Sequence, residues 1–356
     1  MSKYMGKIKQ SILDKKPYSF NEIQAEIKLN QNESPYDIPN EIKKKVCDLV
    51  LLKKWNRYPS ISGEPLREAL SKYLDIPESK IAVGVGSDEM LNSVASIILS
   101  KDKKLLIVEP TFQMYEQCGI ALDADIVRIN LNEDFSYPVE KIIDTIREQN
   151  IDLFMFASPN SPTGKSMAVS DIERILECSD CIVVVDEAYY EFSGKTALPL
   201  LEEHKNLIIT RTLSKAFSMA GLRAGYLIAD EKLVENIFKV KMPFSLNIFT
   251  EAAAVAILED PIIIKKNVEK ILNSKRSLFQ FLNTIKGMEI LDSDTNFFVI
   301  RIPEIGKRAI DILRENGIAA RDISHYPMLD DCIRINVGTP EENEIVVNAL
   351  ISIVEK

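Results

Sequence analysis

Between about residue 80 and residue 230 the chain repeats one pattern: a short unbroken apolar run, a stretch of helical periodicity, then another apolar run. The runs are KLLIVE (104–109), DIVRINL (125–131), DLFMFAS (152–158), CIVVVDE (181–187), NLIIT (206–210) and AGYLIA (224–229). Among them lie DEMLNSVASIILS (88–100), VEKIIDTIREQ (139–149) and VSDIERILE (169–177), in which apolar residues return every three or four positions. A strand without a polar side has to be covered on both faces, and a helix-length connection brings the chain back to start the next strand in the same direction. The pattern predicts an α/β fold: a large domain with a mainly parallel sheet covered by helices.

Past about residue 230 the alternation stops. A long helical stretch (262–285) is followed by NFFVIRI, by the helix-like AIDILREN, by DCIRINVG and by a last helix from 341. Helices and strands in runs predict a smaller α+β domain. Residues 1 to 45 have no place in the strand count and are expected to pack with that part. The expected division is a large cofactor-binding domain over 46–245 and a small domain made of 1–45 and 246–356. A chain of 356 residues, 46% of them hydrophobic, is long enough to fill both cores.

The charge balance narrows the partners. With 44 Lys and Arg against 53 Asp and Glu, the net charge of −9 offers no general attraction to nucleic acid or to an anionic membrane. No apolar stretch approaches the roughly 18 residues of a membrane span, and MSKYMGKIKQSILDKK has no apolar centre of a secretory signal, so a cytoplasmic protein is expected. Five scattered cysteines do not read as a disulfide framework, and two histidines argue against a histidine-rich metal site. The lone C-x-x-C of Cys178 and Cys181 lacks a second pair at zinc spacing and opens an apolar run, so it reads as core. No metal is expected.

In open parallel sheets the ligand crevice lies beyond the carboxyl ends of the strands. DLFMFAS runs into PNSPTG, CIVVV into DEAYY, and NLIITR into TLSKAF, which gathers Asn160, Asp186, Tyr189 and Lys215 along one rim. Asp186 closes an apolar run, so its carboxylate needs a cation or hydrogen bonds to stay ionised there. Lys215 just past a buried strand is the setting in which a lysine becomes a nucleophile or forms an imine with a carbonyl. Each residue alone is more often a paired or surface charge; together at one rim they point to a cofactor.

A second feature is VGVGSDEM (83–90), where glycines and Ser87 lead into a helix. Free N–H groups and the positive end of the helix dipole make such a turn an anion site. Arg223, in SMAGLRAGY, can return to the same rim as a bidentate phosphate donor, joined by the hydroxyls of Thr212 and Ser214. The stretch also matches half of a dinucleotide fingerprint, with Glu109 placed like a ribose-binding acid, but Glu89 stands where the third small residue belongs. Nicotinamide binding would also leave Asn160, Asp186 and Lys215 without a task.

TLSKAFSMAG (212–221) resembles the cofactor-lysine signature of class II aminotransferases. SPNSPTG, VVDEAYYEF, GLRAGY and CIRINVGT resemble further blocks of the same fold-type-I, pyridoxal-5′-phosphate-dependent group, in family order from LNQNESPY at 29 to RINVGT at 334–339. Within it, KPYSF, LNQNESPYDIP, RYPS, GSDEM, EPTFQMY and RTLSKAFSMAGLRAGY are most similar to the histidinol-phosphate branch. The resemblance implies that Lys215 links covalently to pyridoxal 5′-phosphate and that Asp186 holds the pyridine nitrogen protonated. It implies that Asn160 and Tyr189 hydrogen-bond the ring hydroxyl. Phe112 falls where a stacking aromatic, commonly tyrosine, is found. The backbone at Ser87 and Asp88, with Thr212, Ser214 and Arg223, would take the phosphate. Tyr58 matches a tyrosine that reaches the partner subunit's cofactor, implying a homodimer. Arg334 matches the arginine for the substrate's anionic group, with Arg321 and Tyr18 as helpers.

The implied reaction is transamination between L-histidinol phosphate and 2-oxoglutarate, giving imidazole acetol phosphate and L-glutamate in histidine biosynthesis. Two related activities use the same residues: an aromatic amino-acid aminotransferase and a threonine-phosphate decarboxylase. A non-enzymatic regulator sharing the lysine would carry a DNA-binding module, for which the chain has neither spare length nor a basic patch.

Overall fold

A computed structural model describes residues 4–15, 25–178 and 180–355 of the chain. Seven strands build its central sheet: β1 (Ile81–Gly84), β2 (Lys104–Glu109), β3 (Asp125–Asn130), β4 (Leu153–Ala157), β5 (Ile182–Asp186), β6 (Leu207–Thr212) and β7 (Gly225–Ala229). Their order is β1-β7-β6-β5-β4-β2-β3. Every pairing is parallel except those of β7, which runs antiparallel to both β1 and β6.

The apolar runs become strands for the reason the sequence gives: alternate residues enter different cores. Leu106, Val108, Phe154, Phe156, Val183, Val185 and Ile209 belong to one buried cluster. Leu105, Ile107, Leu153, Met155, Val184 and Ile208 belong to the other. With both faces covered, each fully buried side chain of this size contributes roughly 1.5–3 kcal/mol, and slipping a strand by one residue would exchange its two faces. The α/β expectation holds. The strand it lacked is β1, four residues ending in Gly84 and too short for a periodic signal.

A second, antiparallel sheet follows: β8 (Glu289–Leu291), β9 (Phe297–Arg301), β10 (Arg321–Asp322) and β11 (Cys332–Asn336), in the order β10-β11-β9-β8. Helices Ile262–Leu282, Gly306–Glu315 and Pro340–Val354 accompany it. The last begins with a capping box, in which Thr339 and Glu342 satisfy each other's backbone N–H.

The N-terminal region is divided. Ile27–Lys28 pairs in parallel with Ile318–Ala319 beside the second sheet. Helix Asn40–Leu51 packs on helix Ile248–Glu259. Residues 10–15 lie instead against the helix Met114–Ala121, where Ser11 donates to Asp123 (2.6 Å) and Lys15 pairs with Glu116. Among the described residues, no helix is long and apolar enough to cross a membrane.

Candidate active site

The carboxyl ends of β4, β5 and β6 lie side by side, with Ala157 opposite Asp186 and Asp186 opposite Thr210. Beyond them opens a cleft of about 450 Å³, walled on one side by residues of the large sheet and on the other by Arg321, Ile323, Tyr326 and Arg334.

Asp186 forms the floor, 3% exposed. One carboxylate oxygen accepts from the Tyr115 hydroxyl at 2.9 Å; the other, Oδ1, is buried and meets no donor at hydrogen-bonding geometry. Burial pushes this carboxyl up to about 6, against the lowering effect of the Tyr115 hydrogen bond and, after it, of the nearby Thr210 hydroxyl and Ala188 N–H. The Tyr115 hydroxyl is itself raised well above its ordinary value, by burial first and then by Asp186, so it stays a donor. Tyr115 lies within EPTFQMY, yet no periodicity marks it as the floor's hydrogen-bond donor. Phe112 lines the cleft and meets Tyr115 edge-on, with ring centroids 5.7 Å apart.

Lys215 sits in the bend after β6, and its Nζ donates to the Gln31 carbonyl at 2.7 Å. Tyr189 also lines the cleft, its hydroxyl accepting from Asn32 Nδ2 at 2.8 Å. Asn160 is placed differently from the other rim residues: it is 1% exposed and does not line the cleft. Its Nδ2 donates to the Pro110 carbonyl and to Thr163 Oγ1, both at 2.8 Å, and its Oδ1 accepts from Thr111 at 3.0 Å. The amide protons expected to serve a ring hydroxyl are committed to holding the loops after β2 and β4 together.

At one end of the cleft, the first turn of the helix Gly86–Ile98, with Ser87 and Asp88, meets Thr212, Ser214 and Arg223. Arg223 donates from Nη1 to Ser214 Oγ (3.2 Å) and from Nη2 to Asp88 (3.1 Å). Gly86 makes the approach possible: a Cβ there would stand 2.7 Å from Nη2, and its φ of +76° disfavours any side chain. Helix dipole, free N–H groups, hydroxyls and guanidinium converge as an anion cradle.

The dinucleotide alternative is answered by the same turn. Glu89 reaches back to the Val85 N–H at 2.6 Å and pairs with Lys241 at 3.6 Å, and Gly84 leaves the room its carboxylate fills. Glu109 pairs with Arg128 on β3 and does not line the cleft. The glycines serve the helix start.

On the second wall, Arg321 and Arg334 stand directly opposite each other on antiparallel strands β10 and β11. Arg334 donates to Ser161 Oγ (3.0 Å) and the Asn30 carbonyl (3.2 Å), and its guanidinium lies 5.2 Å from the centre of the Phe297 ring. Two like charges in register repel, so an anion entering the cleft beside them would be stabilised. Tyr58 lies off this cleft, 83% exposed and stacked on Phe244. Tyr18 falls outside the described residues.

The donor set fits pyridoxal 5′-phosphate. Asp186, with a buried oxygen short of a donor, calls for a ring N–H; the cradle calls for a phosphate; Lys215 lines the same cleft and offers the amine an aldehyde needs.

The family description "Aminotransferase class I and II" matches residues 24–350. A histidinol-phosphate aminotransferase of Chlorobium phaeovibrioides is 39% identical over 331 residues, 93% of this chain and 92% of that one. The solved histidinol-phosphate aminotransferase of Sinorhizobium meliloti, in complex with pyridoxal-5′-phosphate, superposes with a TM-score of 0.87 at 22% identity, covering 98% of this chain and 97% of the other. The L-threonine-O-3-phosphate decarboxylase of Porphyromonas gingivalis superposes at 0.81 with 23% identity over 93% of this chain and 99% of the other. At such identities the superpositions speak for the fold alone.

Proposed function

Because the chain belongs to the class I and II aminotransferases, we propose that it moves the amino group of L-histidinol phosphate to 2-oxoglutarate with pyridoxal 5′-phosphate, forming imidazole acetol phosphate and L-glutamate. The observation that carries this reading is the meeting of Asp186, Lys215 and the Arg223 cradle in one cleft whose other wall is a pair of arginines. The two anion sites match a phosphorylated cofactor and a phosphorylated donor. Relatives bearing the histidinol-phosphate name at close to 40% identity support that donor.

Bound in the cleft, the cofactor supplies an aldehyde carbon and a conjugated ring that takes up the electron pair left when the donor's α-proton departs. Asp186 holds a proton on the ring nitrogen; each pKa unit of preference it supplies is worth about 1.4 kcal/mol. Lys215 Nζ would hold the cofactor's aldehyde carbon and, once freed by the donor amine, would serve as the base that takes the donor's α-proton and the acid that returns it. Arg223, Ser214, Thr212 and the N–H groups at Ser87 and Asp88 fix the phosphate end, so the ring pivots little. Phe112, which lines the cleft, would offer its face to the ring. Tyr189 would donate its hydroxyl proton to the ring oxygen, and Asn160 braces the loops after β2 and β4. Arg334 and Arg321 orient the donor's phosphate, with Tyr18 as a further helper, and Ile323 and Tyr326 keep water from the reacting carbon.

The reading extends to assembly and place. We read 46–245 as the large cofactor-binding unit and 1–45 with 246–356 as the small one, with residues 10–15 reaching across to the helix Met114–Ala121 of the large unit. Tyr58 faces outward on a surface where Leu51, Leu52, Trp55, Ile61 and Met242 are also exposed, an apolar area suited to a second copy. In that homodimer Tyr58 reaches the neighbouring phosphate. The protein works in the cytoplasm.

The test is a substrate panel. Purified protein with pyridoxal phosphate and 2-oxoglutarate is offered L-histidinol phosphate, phenylalanine or O-phosphothreonine, and oxo product and carbon dioxide are measured. The reading expects the highest kcat/KM with histidinol phosphate. Preference for phenylalanine, or release of carbon dioxide from phosphothreonine, would replace it with one of its two relatives.

A further inference from the structure

The segment Asn30-Gln31-Asn32 is the least expected part of the site. Its three consecutive carbonyls each accept from a different functional element: Asn30 from Arg334 Nη2 (3.2 Å), Gln31 from Lys215 Nζ (2.7 Å) and Asn32 from Asn296 Nδ2 (3.1 Å). Asn32 is also gripped through its own N–H by Asn336 Oδ1 (3.2 Å), and Asn336 donates its backbone N–H to the Leu29 carbonyl (3.1 Å). The three asparagines are almost wholly buried, at 2%, 0% and 2% exposure for Asn32, Asn296 and Asn336. They come from three separate parts of the chain: the N-terminal segment, the turn before β9, and β11. Asn32 has a φ of +56°, a conformation that asparagine tolerates better than most residues.

What this scaffold holds is one hydrogen bond. Asn32 Nδ2 donates to the Tyr189 hydroxyl at 2.8 Å. A phenol oxygen that accepts one hydrogen bond keeps its own proton as its single donor. With the Asn32 amide on one side, that proton is turned toward the cleft. We infer that Asn32 is a positioning residue: it acts through Tyr189, fixing the direction in which the Tyr189 hydroxyl donates to the oxygen on the cofactor ring. The inference rests on the reading of the cleft as a pyridoxal-phosphate site and adds to it a residue from the N-terminal segment. In the opposite arrangement, an acceptor at position 32 would take the tyrosine proton for itself and leave the ring oxygen without a donor.

The chemistry gives the sign of the effect. The proton on the nitrogen joining Lys215 to the cofactor is shared with the neighbouring ring oxygen. A hydrogen bond donated to that oxygen draws electron density from it and weakens its hold on the proton, which lowers the chromophore's pKa. Loss of the tyrosine donation therefore raises it.

The experiment is a spectrophotometric pH titration of the visible band formed by the protein with pyridoxal phosphate, in the absence of substrate. It compares wild type, Asn32→Gly, Asn32→Asp, Tyr189→Phe and the double variant Asn32→Gly with Tyr189→Phe. Glycine removes the side chain without straining the positive φ, and aspartate keeps the size while offering only an acceptor. Tyr189→Phe and Asn32→Asp are expected to raise the pKa by about one unit and Asn32→Gly by about half a unit. In the Tyr189→Phe background, Asn32→Gly should add nothing, because its effect runs through the missing hydroxyl. A wild-type pKa retained in both Asn32 variants, or a full shift persisting without Tyr189, overturns the inference. A wild-type protein that forms no visible band, or forms it equally after Lys215→Ala, overturns the cofactor reading instead.

Discussion

Asp186 and Glu187 are neighbours in sequence and both are buried, at 3% and 1% exposure, yet they stand in opposite circumstances. Successive residues of an extended chain face opposite ways. Glu187 turns into the fold and is satisfied there. Its Oε2 accepts from Arg211 Nε (3.0 Å), Arg211 Nη2 (2.8 Å) and Thr196 (2.9 Å), and its Oε1 accepts from the Ala197 N–H (2.6 Å). The Arg211 guanidinium is covered by the Tyr190 ring, 3.6 Å from its centre. Asp186 turns into the cleft, makes no ion pair among the described residues, and keeps one oxygen short of a donor. A buried carboxylate that faces an arginine and whose two oxygens both accept hydrogen bonds belongs to the architecture. One left short in a cleft is set up for a ligand that brings its own cationic N–H.

The comparison is broken or sharpened by four changes. The largest effect is expected on the cleft side, where Lys215→Ala should slow transamination by roughly 10⁴-fold, the loss of both the covalent link and the acid–base group. Single-turnover kinetics with the amino donor check it, and a rate within tenfold of wild type would remove Lys215 from the mechanism.

On the architectural side, Glu187→Gln removes the carboxylate that contacts the buried Arg211, leaving, among the described residues, only Glu191 acting on it from farther away, and should cost about 3 kcal/mol of stability. Urea unfolding measures this directly, and an unchanged midpoint would mean that Glu187 is no more structural than its neighbour.

Asp186→Asn should do the reverse in the cofactor-free protein. The folded-state pKa of about 6 lies above the ordinary 3.8, so the folded state holds this proton more tightly. The stability contributed is fully present below about pH 4 and is lost as the pH rises through 6. At pH 7–8 the wild type therefore carries a cost, at most about 3 kcal/mol from the difference 6 − 3.8 = 2.2 units. The asparagine variant should unfold at higher urea than wild type at pH 8 and lose that advantage near pH 4. Its turnover should fall by two orders of magnitude or more, as a preorganised charge is lost.

The smallest effect belongs to the cradle. Gly86→Ala strains a φ of +76° and pushes on the Arg223 guanidinium, at about 1–2 kcal/mol. Cofactor titration should show roughly tenfold weaker binding, while Gly194→Ala, with nothing within 4 Å of its added carbon, should leave binding unchanged.

The readable parts of the site were those carried by strand ends. Once the runs before Asp186 and Lys215 are recognised as neighbouring parallel strands, geometry brings both residues to one rim, and the glycines before Ser87 place a helix N-terminus beside them. Asn32, Gln31 and Tyr115 escaped that reasoning because nothing in their local pattern says where their polar atoms go. The Gln31 group that matters is a backbone carbonyl, which any residue possesses. Asn160 shows the reverse case: its position beside the rim was legible, whereas the three loop groups that use up its amide were not. The wall residues Ile323 and Tyr326 come from ISHYPMLD, a stretch with no pattern of its own.

Hydrophobic periodicity by itself determined the mainly parallel sheet and hence the edge at which chemistry can occur, because burial on two faces permits few other arrangements, but it did not give the antiparallel run of β7. Family blocks added the cofactor and the reaction. Tertiary structure alone decided which buried acid is matched by Arg211 and which faces the cleft, and which asparagine turns the Tyr189 hydroxyl. Those outcomes depend on contacts between residues as many as 304 positions apart, such as Asn32 with Asn336. A hydrogen bond is set by distances of a few tenths of an ångström that no local pattern encodes.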